Sequence, residues 1–105
     1  MSQKGYNFLG LAQRAGSIKS GDAAAEAIIK KGKAKLVLLA KDASDKTKAH
    51  FINLAKFKNV RWIEGGDKLH LGVALGKSPR SVIIITDDNF AGKIQELFGE
   101  EEQDF

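Results

Sequence analysis

The sequence predicts an α/β fold, a central sheet with helices on both faces in a three-layer α/β/α sandwich. Segments of helical periodicity alternate with short apolar runs along the whole chain. Two of those runs, Leu36-Val37-Leu38-Leu39-Ala40 and Val82-Ile83-Ile84-Ile85, lack any polar alternation, as strands covered on both faces do. The length, 105 residues with 43% hydrophobic and a single proline, suits one domain with its own core. That domain is expected over residues 1–99, with an acidic tail at residues 100–105 that frays. No internal repeat or linker is visible.

The first helix is expected from Lys4 to Ala15, with Phe8, Leu11, Ala12 and Ala15 on its apolar face, and Gly16 ends it. A very short extended piece at Ile18 follows. Ser20-Gly21 then opens an alanine-rich helix. Ser20 or Asp22 is expected to cap its first turn, Lys30 and Lys31 suit its negative end, and Gly32 supplies a left-handed stop. Leu36–Ala40 is too short for a helix and reads as a central strand. Ser44 is the expected N-cap of a helix with Phe51, Leu54, Ala55 and Lys58 on one stripe. Val60–Glu64 reads as a strand closed by the turn pair Gly65-Gly66, and Asp67 caps a short helix carrying Leu71, Ala74 and Leu75. After the loop Lys77-Ser78-Pro79-Arg80 comes the most β-branched run, Val82–Ile85, and Asp87-Asp88 caps a last helix of Phe90, Ile94, Leu97 and Phe98.

Composition removes several function classes. Without cysteine there is no disulfide, thiolate metal site or cysteine nucleophile. No apolar run reaches the length of a membrane span and the amino terminus lacks the apolar core of a signal peptide, so the expected location is the cytoplasm. The net charge of +4 conceals an asymmetry: residues 1–95 carry all 17 Lys and Arg against eight acids, a balance of +9. Such a domain attracts polyanions, nucleic acid foremost, although solubility explains part of the excess.

No residue pattern demands catalysis. His50 and His70 stand on predicted helices without a ligand-like acid or thiol, and read as surface or packing residues. Asp87-Asp88 follows a buried strand, where α/β enzymes hold magnesium, but a helix cap accounts for it more simply. The glycines spell neither a dinucleotide fingerprint nor a phosphate-binding loop. Tyr6 and Trp62 read as packing, not as a base-stacking platform. No catalytic residue, cofactor or metal is therefore expected.

What remains is an open helix start at Gly21 amid eight lysines between Lys19 and Lys48. A solvated lysine-rich face is the plain explanation, and tight helix packing is the plain explanation of the alanines. In an alternating α/β chain, however, the Gly21 helix start and the Lys77–Arg80 loop can open on one sheet edge, where free backbone N–H groups ringed by cations suit a phosphate.

Leu11-Ala12-Gln13-Arg14-Ala15-Gly16, Ser20-Gly21, the run from Lys31 to Ser44 and Leu71-Gly72-Val73-Ala74-Leu75-Gly76 resemble the ribosomal-protein superfamily of kink-turn RNA binders, of the L7Ae and L30e type, and within it the bacterial YlxQ branch. The likeness runs over roughly residues 7 to 95. It implies a four-stranded mixed sheet and a protein that binds structured RNA in or near the ribosome, alongside ribosomal or other ribonucleoprotein proteins, with no membrane and no DNA involved. The implied contact surface is Gly21, Asp22, Ala23, Ala24, Ala27 and Lys31 of the second helix, with the loop from Lys77 through Ser78 to Arg80; Ser20 adjoins it. Lys31 keeps the cation found at the helix end, and Lys19, Lys33 and Lys41 supply further cations around it. The family's best-known RNA binders carry threonine, asparagine and glutamate after the helix-opening glycine, and lysine three positions further. Here those positions hold Asp22, Ala23, Ala24 and Ala27. Phosphate contacts position and base contacts specify, so this pattern implies RNA affinity with altered base reading. The alternative is a protein-interaction module on the same fold that has lost RNA reading.

Overall fold

The structure, a computed structural model, describes residues 3–103. The elements follow one another as α1 (Gln3–Arg14), β1 (Ile18–Ser20), α2 (Asp22–Lys30), β2 (Leu36–Leu39), α3 (Asp45–Phe57), β3 (Arg61–Glu64), α4 (Lys68–Ala74), β4 (Val82–Ile85) and α5 (Asp88–Gln103). The four strands form a mixed sheet in the order β1-β4-β2-β3. β2 and β3 run parallel, Leu36 opposite Arg61, while β4 is antiparallel to both β1 and β2. The tail expected to fray, residues 100–105, enters α5 as far as Gln103 and beyond that lies outside the described residues.

The two unbroken apolar runs became the two central strands, buried at every position. Their alternate side chains enter different cores. Leu36, Leu38, Ile83 and Ile85 meet α1, α4 and α5 around Leu9, Leu71, Ile94 and Phe98. Val37, Leu39, Val82 and Ile84 meet α2 and α3 around Ala25, Ile29, Phe51 and Ala55. With each fully buried Leu or Ile contributing about 1.5–3 kcal/mol, these strands hold the layers together.

Three local expectations need correction. The buried stripe of α1 is Gly5, Tyr6, Leu9 and Ala12, whereas Leu11 is 48% exposed and Ala15 is exposed too. Two overlapping stripes were available to this helix. The aromatic one won because the Tyr6 ring packs edge-on against Phe98, with centroids 5.7 Å apart. Lys58 is not on the apolar stripe of α3: it is the exposed C-cap residue, followed by Asn59 at φ 57°. The first turn of α2 has no side-chain cap, from Ser20, Asp22 or any other residue. The other caps form as expected, with Ser44 accepting from the Thr47 N–H, Asp67 from His70 and Asp87 from Phe90.

Candidate nucleic-acid interface

Strand direction determines which turns share an edge of the sheet. β1 and β2 end where β4 begins, since Ser20 lies opposite Ile83 and Leu39 opposite Val82. Helix α2 therefore starts beside the loop that leads into β4. Gly21 makes the turn with φ 93° and ψ 153°, a backbone region that is essentially reserved for glycine, and its N–H donates to the Val82 carbonyl at 3.2 Å. The chain thus bends sharply into α2 with Asp22, Ala23, Ala24 and Ala27 all exposed. No side chain caps the first turn of α2, so its N–H groups lack a side-chain acceptor and sit at the positive end of the helix dipole.

The Ser20 hydroxyl that was expected to cap this helix has another partner. Arg80 Nε donates to Ser20 Oγ at 3.0 Å, and Nη1 donates to Ser78 Oγ at 2.8 Å and to the carbonyls of Ser78 and Pro79 at 3.3 and 3.4 Å. These acceptors are all neutral, and Arg80 has no ion pair among the described residues. Its guanidinium is held in place with its charge uncompensated. Nη2 makes no hydrogen bond among the described residues, which leaves one face of the fork for an anion.

The loop itself is packed onto α4. Lys77 N–H donates to the Gly72 carbonyl at 2.8 Å and Arg80 N–H to that of Lys68 at 3.0 Å. A Cβ at Gly72 would lie 2.3 Å from the Ser78 carbonyl oxygen, so only glycine permits this approach. Gly72 was legible as part of a resemblance but not as a residue that seats the loop, because its role depends on a neighbour six positions away. Lys41 joins the same edge just past β2: the Ala40 N–H donates to Ser81 O, and the Lys41 N–H to Gly66 O, both at 2.9 Å.

Of the residues singled out in the sequence, Ser20, Gly21, Asp22, Ala23, Ala24, Lys41, Lys77, Ser78 and Arg80 come together at this edge, and Ala27 lies one turn along α2. Lys19, Lys31 and Lys33 do not join them. Lys31 caps the far end of α2, about 13 Å away at 1.5 Å per residue, and Lys33 follows it. Lys19 points to the α2 layer and shares a groove with Ile28, Lys33 and Lys35.

The alternative chemistries find little support. Asp87 is engaged as the cap of α5. His50 Nε2 lies 3.0 Å from Glu26, and His70 Nδ1 lies 2.8 Å from Asp67. The backbone N–H of His70 is the largest influence holding the Asp67 carboxyl below the ordinary aspartate value of 3.8; burial opposes it, and the His70 ring then adds to the lowering. Among the described residues no three acids, histidines or cysteines gather as a metal site, and no helix is long and apolar enough to cross a membrane. Tyr6 is buried, and Trp62 is partly buried on the edge strand, packed against the α2 and α3 core.

An α/β/α sandwich that opens on one sheet edge, between a glycine-started helix and a basic loop, defines the class. The model of the ribosomal protein L7Ae/L30e/S12e/Gadd45 family matches residues 3–95, and the chain belongs to that family. It is 38% identical over 95 residues to the RNA-binding protein YlxQ of Enterococcus faecium, covering 90% of this chain and 91% of that one. To the RNA-binding protein YlxQ of Bacillus subtilis (strain 168) it is 35% identical over 92 residues, covering 88% and 92%. Among solved structures it resembles a protein of unknown function from Bacillus halodurans C, with TM-score 0.87, 28% identity and coverage of 94% and 99%. It also resembles the Giardia lamblia 15.5kD RNA binding protein, with TM-score 0.73, 29% identity and coverage of 93% and 84%.

Proposed function

We propose that this protein is a non-enzymatic, cytoplasmic RNA-binding protein that recognises structured, kink-turn-like RNA in or near the ribosome with altered base reading. The observation that carries the reading is the Arg80 guanidinium, tied to neutral oxygens beside an uncapped helix start. Relatives named as RNA-binding proteins match nearly the whole chain, which supports the same partner. Arg80 and the backbone N–H groups of the α2 start grip phosphates, while Ala23, Ala24 and Ala27 bring no base-reading group of their own.

Fluorescence anisotropy with a labelled kink-turn RNA tests this. A charge-assisted contact contributes about 1.5–3 kcal/mol, so Arg80→Ala should weaken binding by roughly ten-fold or more and make the salt dependence shallower by about one unit. Absence of binding to any structured RNA at low salt would end the reading. The exposed Ala23, Ala24 and Ala27 favour a second one, a face for a protein partner. A pulldown with and without ribonuclease separates the two, since a protein partner survives the digestion.

A further inference from the structure

Most of the chain's uncompensated positive charge lies at the opposite edge of the sheet from Gly21 and Arg80. At that edge α2 and α3 end while β2 and β3 begin. Lys30 and Lys31 close α2, Lys33 lies in the turn beyond, and Lys35 donates its N–H to Ile85 O just ahead of β2. Lys56 and Lys58 close α3, and Arg61 opens β3 opposite Leu36. Lys19 reaches the same edge through the groove that it shares with Lys33 and Lys35.

All of these side chains are exposed, and among the described residues only Lys30 has an acidic partner, Glu26 at 3.6 Å. The other acids at this edge, Asp87 and Asp88, open α5 on the opposite layer, and Asp87 is engaged as its cap. The Gly21 edge is different. There Lys41, Lys46, Lys48, Lys68, Lys77 and Arg80 stand among Asp22, Asp42, Asp45, Glu64 and Asp67, a near balance, and Lys48 is paired with Glu64 at 3.0 Å. The basic balance of the whole chain thus comes largely from the far edge.

Helix dipoles account for part of this, since lysines suit the negative ends of α2 and α3. They do not account for Lys19, Lys33, Lys35 and Arg61, which lie outside both helices. We infer that the far edge is a second RNA face, which holds backbone phosphates of a duplex segment distinct from the one at the Gly21 edge, so that the domain bridges two stretches of one folded RNA. Lysines act there as point charges on flexible stems, which neutralise phosphates without reading bases. The four-residue strands separate the two edges by about 13 Å before the turns are added, so one compact internal loop cannot occupy both.

This inference rests on RNA being the partner, and its test keeps the two readings apart. Two probes share one kink-turn, one with a long flanking stem and one with a minimal stem. The variants are Lys33→Gln/Lys35→Gln at the far edge, Lys4→Gln/Lys93→Gln as a control of equal charge change on α1 and α5, and Arg80→Ala. All the glutamine sites are exposed, and circular dichroism verifies folding. The far-edge variant should bind the long-stem RNA roughly ten-fold or more weakly than the control does, with a salt slope shallower by about two units, and should bind the minimal RNA as the control does. If its loss on the long-stem RNA only equals that of the control, the second face is overturned. A loss in Arg80→Ala would then leave the first reading standing. Loss in the far-edge variant with none in Arg80→Ala supports the far edge and removes the Gly21 site. Failure of the unaltered protein to bind either RNA overturns both.

Discussion

Gly21 sets the geometry of the candidate site, since its backbone conformation brings the start of α2 beside Arg80. Its φ of 93° with ψ of 153° is strained for any L side chain, although nothing within 4 Å would touch an added Cβ. Gly21→Ala should therefore cost about 2 kcal/mol in urea unfolding, through conformation and not through a clash. A loss no larger than that of an ordinary surface change would show that the turn relaxes freely. Asp67 makes a separate prediction at the same scale. Its folded carboxyl titrates below the ordinary value of 3.8, so its stabilising effect is complete above that pH and is lost as the pH falls through the lowered value. Asp67→Asn keeps a capping side chain but removes the charge, and should flatten the stability loss on going from neutral to acid pH. An unchanged acid limb would assign the effect to other carboxylates.

Helix α2 is the element in which inheritance and departure meet. Ala24 and Ala27 are exposed on its outer face, one turn apart, where the resemblance places a glutamate and a lysine. Because nothing in the domain covers these positions, Ala24→Glu with Ala27→Lys should be accommodated without repacking. The double variant should raise the preference for a tandem G·A kink-turn over an unrelated hairpin, measured as a ratio of dissociation constants. Equal affinities for the two RNAs would show that this face does not meet the base pairs. Its partner element, the loop after α4, owes its place to Gly72, whose missing Cβ admits Ser78. Together they make the candidate site from two segments about sixty residues apart, joined by the bond from Arg80 to Ser20.

At the scale of the whole molecule, the site is only as firm as the two central strands beneath it. Ile84 is fully buried on the α2 and α3 side of β4, opposite Lys19 in β1 and Val37 in β2. Ile84→Ala should cost about 3 kcal/mol by leaving a cavity, which in a domain of this size lowers the melting temperature by about 15 °C. A drop of only a few degrees by thermal denaturation would mean that the helices close over the gap. The same strands also set the two edges apart, the near-neutral one with Arg80 and the strongly basic one beyond α2.

The sequence by itself determined the sandwich, because periodicity and turn chemistry are local: the unbroken runs 36–40 and 82–85 became central strands, and the caps at Ser44, Asp67 and Asp87 formed where their residue types called for them. It also marked the Gly21 helix start and the Lys77–Arg80 loop. Only the tertiary structure decided what depends on partners distant in the chain. Tyr6 took the core face of α1 because Phe98 was there to receive it, and Ser20 gave its hydroxyl to Arg80 instead of to its own helix. Strand direction then sorted the lysines, leaving Lys41 and Lys77 with Gly21 and sending Lys19, Lys31 and Lys33 to the opposite edge. Lys35 and Lys41, consecutive lysines in the sequence, lie at opposite edges because β2 runs between them, a separation that composition does not contain.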